Sequence, residues 1–210
     1  MLKVFKQEIN GLIPFAYEYF LSIPPKYNTN EEKKWPFLLF LHGAGEISPP
    51  IKKVLAHESA TILAENFITC SPQVSQGYGW NSQVLTDLIH QIIDNYRIDS
   101  NRIYCTGISM GGYGTWSLAM AQPNLFAAII PICGGGDEKK VSCLKTLPIW
   151  NFHGQLDDVI PVDRSHSLIK NLNSDLCQST IYPDLKHDSW TRTYNNKDIY
   201  LWLLQQTKSN

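Results

Sequence analysis

A chain of 210 residues, 43% of them hydrophobic, fits one ordinary globular domain and is too apolar for a disordered segment. By size scaling such a domain hides roughly 70% of its unfolded surface, enough for a core that needs no staples. The net charge of −1 excludes electrostatic attraction as a reason to bind nucleic acid or an anionic membrane.

Residues 1–24 alternate loosely, through Val4-Phe5 and then Phe15-Ala16-Tyr17-Glu18-Tyr19-Phe20-Leu21, and predict antiparallel edge strands that stop at Pro24-Pro25. Residues 26–35 form a polar loop in which Glu31-Glu32-Lys33-Lys34 is a solvated stretch. Phe37-Leu38-Leu39-Phe40-Leu41 is apolar on both faces of a strand, the mark of a buried parallel one, and closes on His42-Gly43-Ala44-Gly45-Glu46. Pro49-Pro50 opens a helical stretch carrying Ile51, Val54 and Leu55, with a second piece carrying Ile62 and Leu63. Phe67-Ile68-Thr69-Cys70 is the next strand, ending at Ser71-Pro72-Gln73. Residues 82–97 place Leu85, Leu88, Ile89, Ile92 and Tyr96 at helical spacing, with Asn81 or Ser82 as the cap.

The strand Arg102-Ile103-Tyr104-Cys105-Thr106 leads into Gly107-Ile108-Ser109-Met110-Gly111-Gly112, and a helix then runs through Trp116 and Ala119 to stop before Pro123. Strands follow at 126–130, ended by Gly134-Gly135-Gly136, and at 148–152, closed by His153-Gly154. A helix at 163–173, a strand at 178–182 and a terminal helix at 197–206 complete the chain. Strands alternating with helices predict a single α/β domain over 1–210: a mostly parallel central sheet with helices on both faces and antiparallel N-terminal edge strands. Only residues 134–146 are long enough for a small cap, so little or no lid and an open site are expected. Ser109, His42-Gly43, Ser71-Pro72-Gln73, Asp157-Asp158 and His187 all follow apolar runs, which gathers them on one rim at the carboxyl ends of the strands.

The five cysteines, at 70, 105, 133, 143 and 177, are odd in number and lack CxxC spacing, and Cys70, Cys105 and Cys133 sit in or beside apolar runs as small hydrophobes. The N-terminal residues lack the charged-then-apolar pattern of a secretory signal, and no apolar run is long enough to span a bilayer. The expectation is a cytoplasmic protein without stable membrane insertion.

A serine between two glycines at a strand-to-helix turn is the nucleophile-elbow pattern. Such a turn strains the serine backbone, leaves no room for side chains at 107 or 111, and exposes the hydroxyl above the first amides of the helix. A serine hydroxyl is a weak nucleophile at neutral pH and needs an adjacent base, which histidine supplies because it can accept and return a proton. The histidine in turn needs an acid on its other nitrogen to fix the tautomer. His187 is the histidine on a loop downstream of the acids. His42 and His153 precede glycines at strand ends, where a ring braces a loop, and His57, His90 and His166 lie in helical segments. The acid comes from Asp157-Asp158; neighbours point in different directions, so one alone can face the histidine, and Asp157 is preferred with Asp158 as the alternative. Oxyanion donors are expected from the amides of Met110, which opens the elbow helix, and Ala44, in the turn after the strand at 37–41. Trp80, Tyr113 and Trp190 are candidates to line the substrate cleft. No His-Glu-x-x-His or comparable spacing suggests a metal hydrolase, and Cys105 lies within the strand rather than at the elbow.

Leu-His-Gly-Ala-Gly-Glu, Ser-Pro-Gln, Gly-Ile-Ser-Met-Gly-Gly-Tyr-Gly-Thr-Trp, His-Gly-Gln-Leu-Asp-Asp-Val-Ile-Pro and His-Asp-Ser-Trp, in that order from about residue 35 to the C-terminus, resemble the α/β-hydrolase superfamily. Within it the chain is similar to the phospholipase/carboxylesterase branch and to related small serine esterases and peptidases. The resemblance implies Ser109 as nucleophile, Asp157 rather than Asp158 as acid, His187 as base, and Ala44 and Met110 at the oxyanion positions. It also implies no cofactor and a carboxylic ester or thioester, sometimes an amide, as a small-molecule acyl substrate; a monomer or homodimer is expected. One departure stands after Glu46: relatives often continue with arginine and glycine, whereas Ile47-Ser48-Pro49-Pro50 follows here, at the rim of the acyl pocket.

Overall fold

The strand read as buried on both faces is β3 (Trp35–Leu41), and every one of its residues is buried. Phe37, Leu39 and Leu41 enter one core while Leu38 and Phe40 enter a second, the period-two alternation of a strand covered on both sides. The same alternation runs through its neighbours: Ile103, Cys105 and Ile129 face the first core, Tyr104, Ile130 and Ile132 the second.

The computed structural model describes residues 2–9, 15–47, 50 and 65–208. Around β3 the chain forms β1 (Leu2–Lys6), β2 (Glu18–Ser22), β4 (Ile68–Gln73), α1 (Ser82–Asn95), β5 (Ile98–Ile108), α2 (Met110–Ala121), β6 (Ala128–Ile132), β7 (Ile149–Gly154), α3 (Asp163–Leu172), β8 (Cys177–Tyr182), α4 (Trp190–Asn195) and α5 (Asp198–Gln205). The helical stretch expected at Ile51, Val54, Leu55, Ile62 and Leu63, with His57, lies outside the described residues.

The strands make one eight-stranded sheet in the order β1-β2-β4-β3-β5-β6-β7-β8. β1 and β2 pair antiparallel at one edge, and every pairing from β4 to β8 is parallel. The chain therefore carries the expected α/β architecture. From α1 come Leu85, Leu88 and Ile92, from α2 Trp116 and Leu118, and from α3 Leu168 and Leu172, all packed into the first core. Tyr194 of α4 and Ile199, Tyr200 and Leu203 of α5 cover the opposite face. Complete burial of each such side chain contributes about 1.5–3 kcal/mol.

Two details depart from the sequence reading. β5 begins earlier than its apolar run, because the Trp35 amide donates to Arg97 O at 2.8 Å and Trp35 pairs with Ile98. The register shifts between Trp35 and Phe37, at Pro36, which has no N–H to give to a ladder. The six-residue α4 was not foreseen. Its β-branched Thr191 and Thr193 carry little helical preference, and it is started by Asp188, whose carboxylate accepts from the Thr191 amide at 3.0 Å and from the Thr191 hydroxyl at 2.9 Å. At the start of α1 the cap is Asn81, accepting from Val84 N at 3.1 Å.

β4 lies on one side of β3 and β5 on the other. The chain reverses its direction of winding there, and the crevice outside the carboxyl ends of β3 and β5 is where such a sheet leaves room for a ligand.

Candidate active site

Ser109 stands at that crevice, between β5 and α2, with φ 52° and ψ −114°. A non-glycine residue held at positive φ costs of order 1–3 kcal/mol and persists only where its surroundings enforce it. Here the enforcement is visible. The Ser109 amide donates to Ile132 O at 3.0 Å on the neighbouring strand, and its carbonyl accepts from Tyr113 N at 3.1 Å. A Cβ at Gly107 would run into the carbonyl of Gly111, and a Cβ at Gly111 into the carbonyl of Leu41. With no side chain at either position, α2 seats directly on β3 and β5 and lifts the serine hydroxyl to the rim.

The structure brings Ser109, His187 and Asp157 into one hydrogen-bonded line. His187 Nε2 lies 2.9 Å from Ser109 Oγ, and His187 Nδ1 lies 2.8 Å from Asp157 Oδ2. The second carboxylate oxygen, Oδ1, accepts from the amides of Val159 at 2.9 Å and Ile160 at 2.8 Å. Nδ1 thus carries the proton donated to the carboxylate, and Nε2 is the acceptor for the serine hydroxyl. The Asp157 side chain is fully buried. Burial pulls its carboxyl up, but the bonds from His187, Ile160 and Val159 outweigh that and hold it below the usual carboxylate range.

Asp158 goes elsewhere. Its exposed carboxylate pairs with Lys186 Nζ at 2.7 Å, which lowers its pKa. Of the adjacent acids, Asp157 alone is bonded to His187.

The remaining predicted residues fall as follows. Ala44 is exposed and opens a 3-10 turn, Ala44–Glu46, beyond β3. The preceding Gly43 abuts the residue before the serine, since a Cβ there would lie 3.4 Å from Ile108 Cγ1. Met110 is the first residue of α2. Trp80, Met110 and Tyr113 line a cleft of about 590 Å³ together with Gly114, Ser117 and Met120. Trp80 is fixed by its N–H, which donates to His42 O at 3.2 Å, and by an edge contact with the His42 ring. Trp190 is placed differently: its ring meets His187 edge to face at 5.3 Å. His42 is buried and braces the loop, accepting from Val74 N at 2.9 Å through Nε2 and donating from Nδ1 to Gly43 O at 2.6 Å.

Sequence reasoning passed over one neighbour. His153 Nε2 lies 3.1 Å from Asp157 Oδ2. The signal available was the four-residue spacing of His153 and Asp157 across a turn. Spacing also concealed a cluster: Cys133, Asp157 and His187 bring three ligand-type atoms within 4.8 Å of one another. Burial pushes the Cys133 thiol up to about 12, so it remains protonated at neutral pH.

An eight-stranded, mostly parallel sheet with a serine on a strained turn after its fifth strand, and an acid and a histidine on later loops, is the α/β-hydrolase fold. The chain belongs to the phospholipase/carboxylesterase family, whose model matches residues 64–201. It is 30% identical to the bifunctional acetylxylan esterase/xylanase XynS20E of Neocallimastix patriciarum, over 80% of this chain and 26% of that protein. It is 26% identical to a probable feruloyl esterase C of Aspergillus oryzae, over 78% of this chain and 63% of that protein. The chain therefore spans about a quarter of the first relative and under two thirds of the second. The solved structure of a thermostable esterase matches with a TM-score of 0.88 at 32% identity, covering 99% of this chain and 63% of that one. Among the described residues, no helix is long and apolar enough to cross a membrane.

Proposed function

We propose that the chain hydrolyses carboxylic esters through an acyl-enzyme formed on Ser109. The observation that carries this reading is the unbroken line from Ser109 Oγ through His187 to Asp157. Ser109 Oγ attacks the ester carbonyl carbon as its proton passes to His187 Nε2. Asp157 Oδ2, already bonded to Nδ1–H, stabilises the imidazolium without taking its proton. The carbonyl oxygen, now negative, is met by the amides of Met110 and Ala44. The N-terminal end of α2 adds a favourable dipole there. His187 then returns its proton to the departing alcohol, and water repeats the sequence to release the acid.

The substrate reading is an acetyl or feruloyl ester carried by a polysaccharide. Its support is the likeness to two relatives, an acetylxylan esterase/xylanase and a probable feruloyl esterase. A cleft beside the serine supports it too: it reaches Met110, the residue after Ser109, its volume lies within the usual range for small-ligand sites, and Trp80 and Tyr113 line it.

The test compares wild type with Ser109→Ala on acetylated xylan, methyl ferulate and p-nitrophenyl esters from acetate to laurate. Turnover of the acetyl and feruloyl esters is expected, with a fall of about 10⁶-fold in the variant. A folded wild type inactive on every ester, or a variant that keeps its activity, would refute the proposal. Preference for thioesters or peptides would leave Ser109 in place and overturn the substrate.

A further inference from the structure

Asp157 is shared by two imidazoles. Oδ2 lies 2.8 Å from His187 Nδ1 and 3.1 Å from His153 Nε2. His153 Nε2 is also 2.9 Å from the carbonyl of Ile160. The ionised carboxylate and the carbonyl bring no proton to these contacts, so the proton sits on His153 Nε2. On the other side of the ring, Nδ1 meets Ser165 Oγ at 2.7 Å. That hydroxyl also lies 3.2 Å from Gly134 O and 3.3 Å from Asn151 Oδ1. It has one proton, and the shortest contact, toward Nδ1, takes it. His153 and Asn151 on β7 and Ser165 on α3 are all fully buried, so the ring is held by the frame of the fold rather than by a loop. Desolvation keeps the imidazole below its ordinary range, in its neutral form.

We propose that His153 is a positioning residue of the Ser109 site: its Nε2–H fixes the Asp157 carboxylate and takes up part of its charge, so that activity extends to lower pH than a carboxylate bonded by His187 alone would allow. Two donors on one oxygen weaken each other, and the imidazolium formed on His187 during the reaction is held correspondingly less tightly. The other groups facing the pair are the Ser109 hydroxyl, the Cys133 thiol beyond β6, Asp188 on the His187 loop, and Asp158 with its partner Lys186 at the rim. None of these touches His153.

The inference rests on reading Ser109, His187 and Asp157 as the catalytic line. Its test is the pH profile of kcat/KM on p-nitrophenyl acetate for wild type, His153→Gln and His153→Phe. Gln keeps an N–H near the place of Nε2, whereas Phe keeps the ring and loses the donor. His153→Phe is expected to move the acid limb upward by about half a pH unit to one unit, with KM little changed. His153→Gln is expected to keep the acid limb near that of wild type. Identical acid limbs in all three proteins overturn the proposal. If His153→Phe does not fold, histidine ¹⁵N NMR of the wild type decides between about pH 5 and 8. A neutral Nε2–H tautomer throughout supports the proposal, and an Nδ1–H tautomer, or a ring that titrates together with His187, overturns it. Failure of the underlying reading would look different: a wild type without turnover whose Ser109 is not labelled by a fluorophosphonate overturns both. An active, labelled wild type with an unmoved acid limb in His153→Phe overturns this inference alone.

Discussion

Replacing Asp157 by Asn tests the charge and the geometry of the site together. Asp157 accepts four hydrogen bonds: two from the Val159 and Ile160 amides at Oδ1, and two from His187 and His153 at Oδ2. An asparagine has one acceptor oxygen and one NH₂ group. If the oxygen keeps the two amides, the NH₂ displaces the His153 Nε2–H wholly onto Ile160 O, faces His187 Nδ1 and forces that nitrogen to become an acceptor. The proton then moves to Nε2, which can no longer take the serine proton. If the oxygen turns to the histidines instead, the NH₂ is driven against two amide N–H groups. The first arrangement costs less, and the wrong tautomer it produces lowers kcat by about 10⁴-fold, or about 5 kcal/mol of barrier. The assay is kcat and KM on p-nitrophenyl acetate, with circular dichroism to show that the variant folds. Asp158→Asn serves as the partner experiment, because that exposed side chain is bonded to Lys186 and not to His187. It should leave kcat within about twofold of wild type, since an exposed carboxylate paired with a lysine makes no bond to the histidine and acts on it only through solvent. A folded Asp157→Asn protein that loses less than about tenfold, or an Asp158→Asn protein that loses as much, would refute the assignment.

Three further outcomes follow from the same geometry. Ala44→Pro removes the amide proposed as one oxyanion donor, at a position whose preceding residue is already extended, so kcat should fall by about 10²–10³ with KM less affected; equal turnover in the folded variant counts against Ala44 as a donor. The Asp157 carboxyl is depressed in the folded chain, so its stabilisation is present above the unfolded value near about 3.9 and is lost as pH falls through the folded value. The difference in Tm between wild type and Asp157→Asn should therefore shrink on acidification below about pH 4, and a difference that grows would contradict this. Leu203→Ala in α5, at a residue 1% exposed, should cost about 2–5 kcal/mol and lower Tm by several degrees, while kcat on p-nitrophenyl acetate stays near wild type.

How much of this was legible beforehand varied with the kind of signal. The doubly apolar run at 37–41 points to a covered strand and the glycines flanking Ser109 to a turn of close backbone approach, so the fold class was readable from residue type, and Ser109 stood out once the motifs around it were taken in order. The lateral order of strands was not, because hydrophobic period says which faces are buried and nothing about which strand lies beside β3. The separation of Asp157 from Asp158 depended on which carboxylate the Val159 and Ile160 amides capture, a property of the turn and not of either residue. His153 read as a brace for a loop, and what it braces is the carboxylate itself. The chain position of Trp190 suggests a cleft aromatic, and what it could not give is the edge-to-face contact of that ring with His187.

The most direct measurement is peptide-mapping mass spectrometry after acid quench during turnover of p-nitrophenyl acetate. Under the proposed mechanism an acetyl group appears on the peptide containing Ser109, and is absent from Ser109→Ala treated in the same way. An active wild type that carries no acetyl group on Ser109, or carries it on another residue, would contradict the acyl-enzyme at the centre of the account.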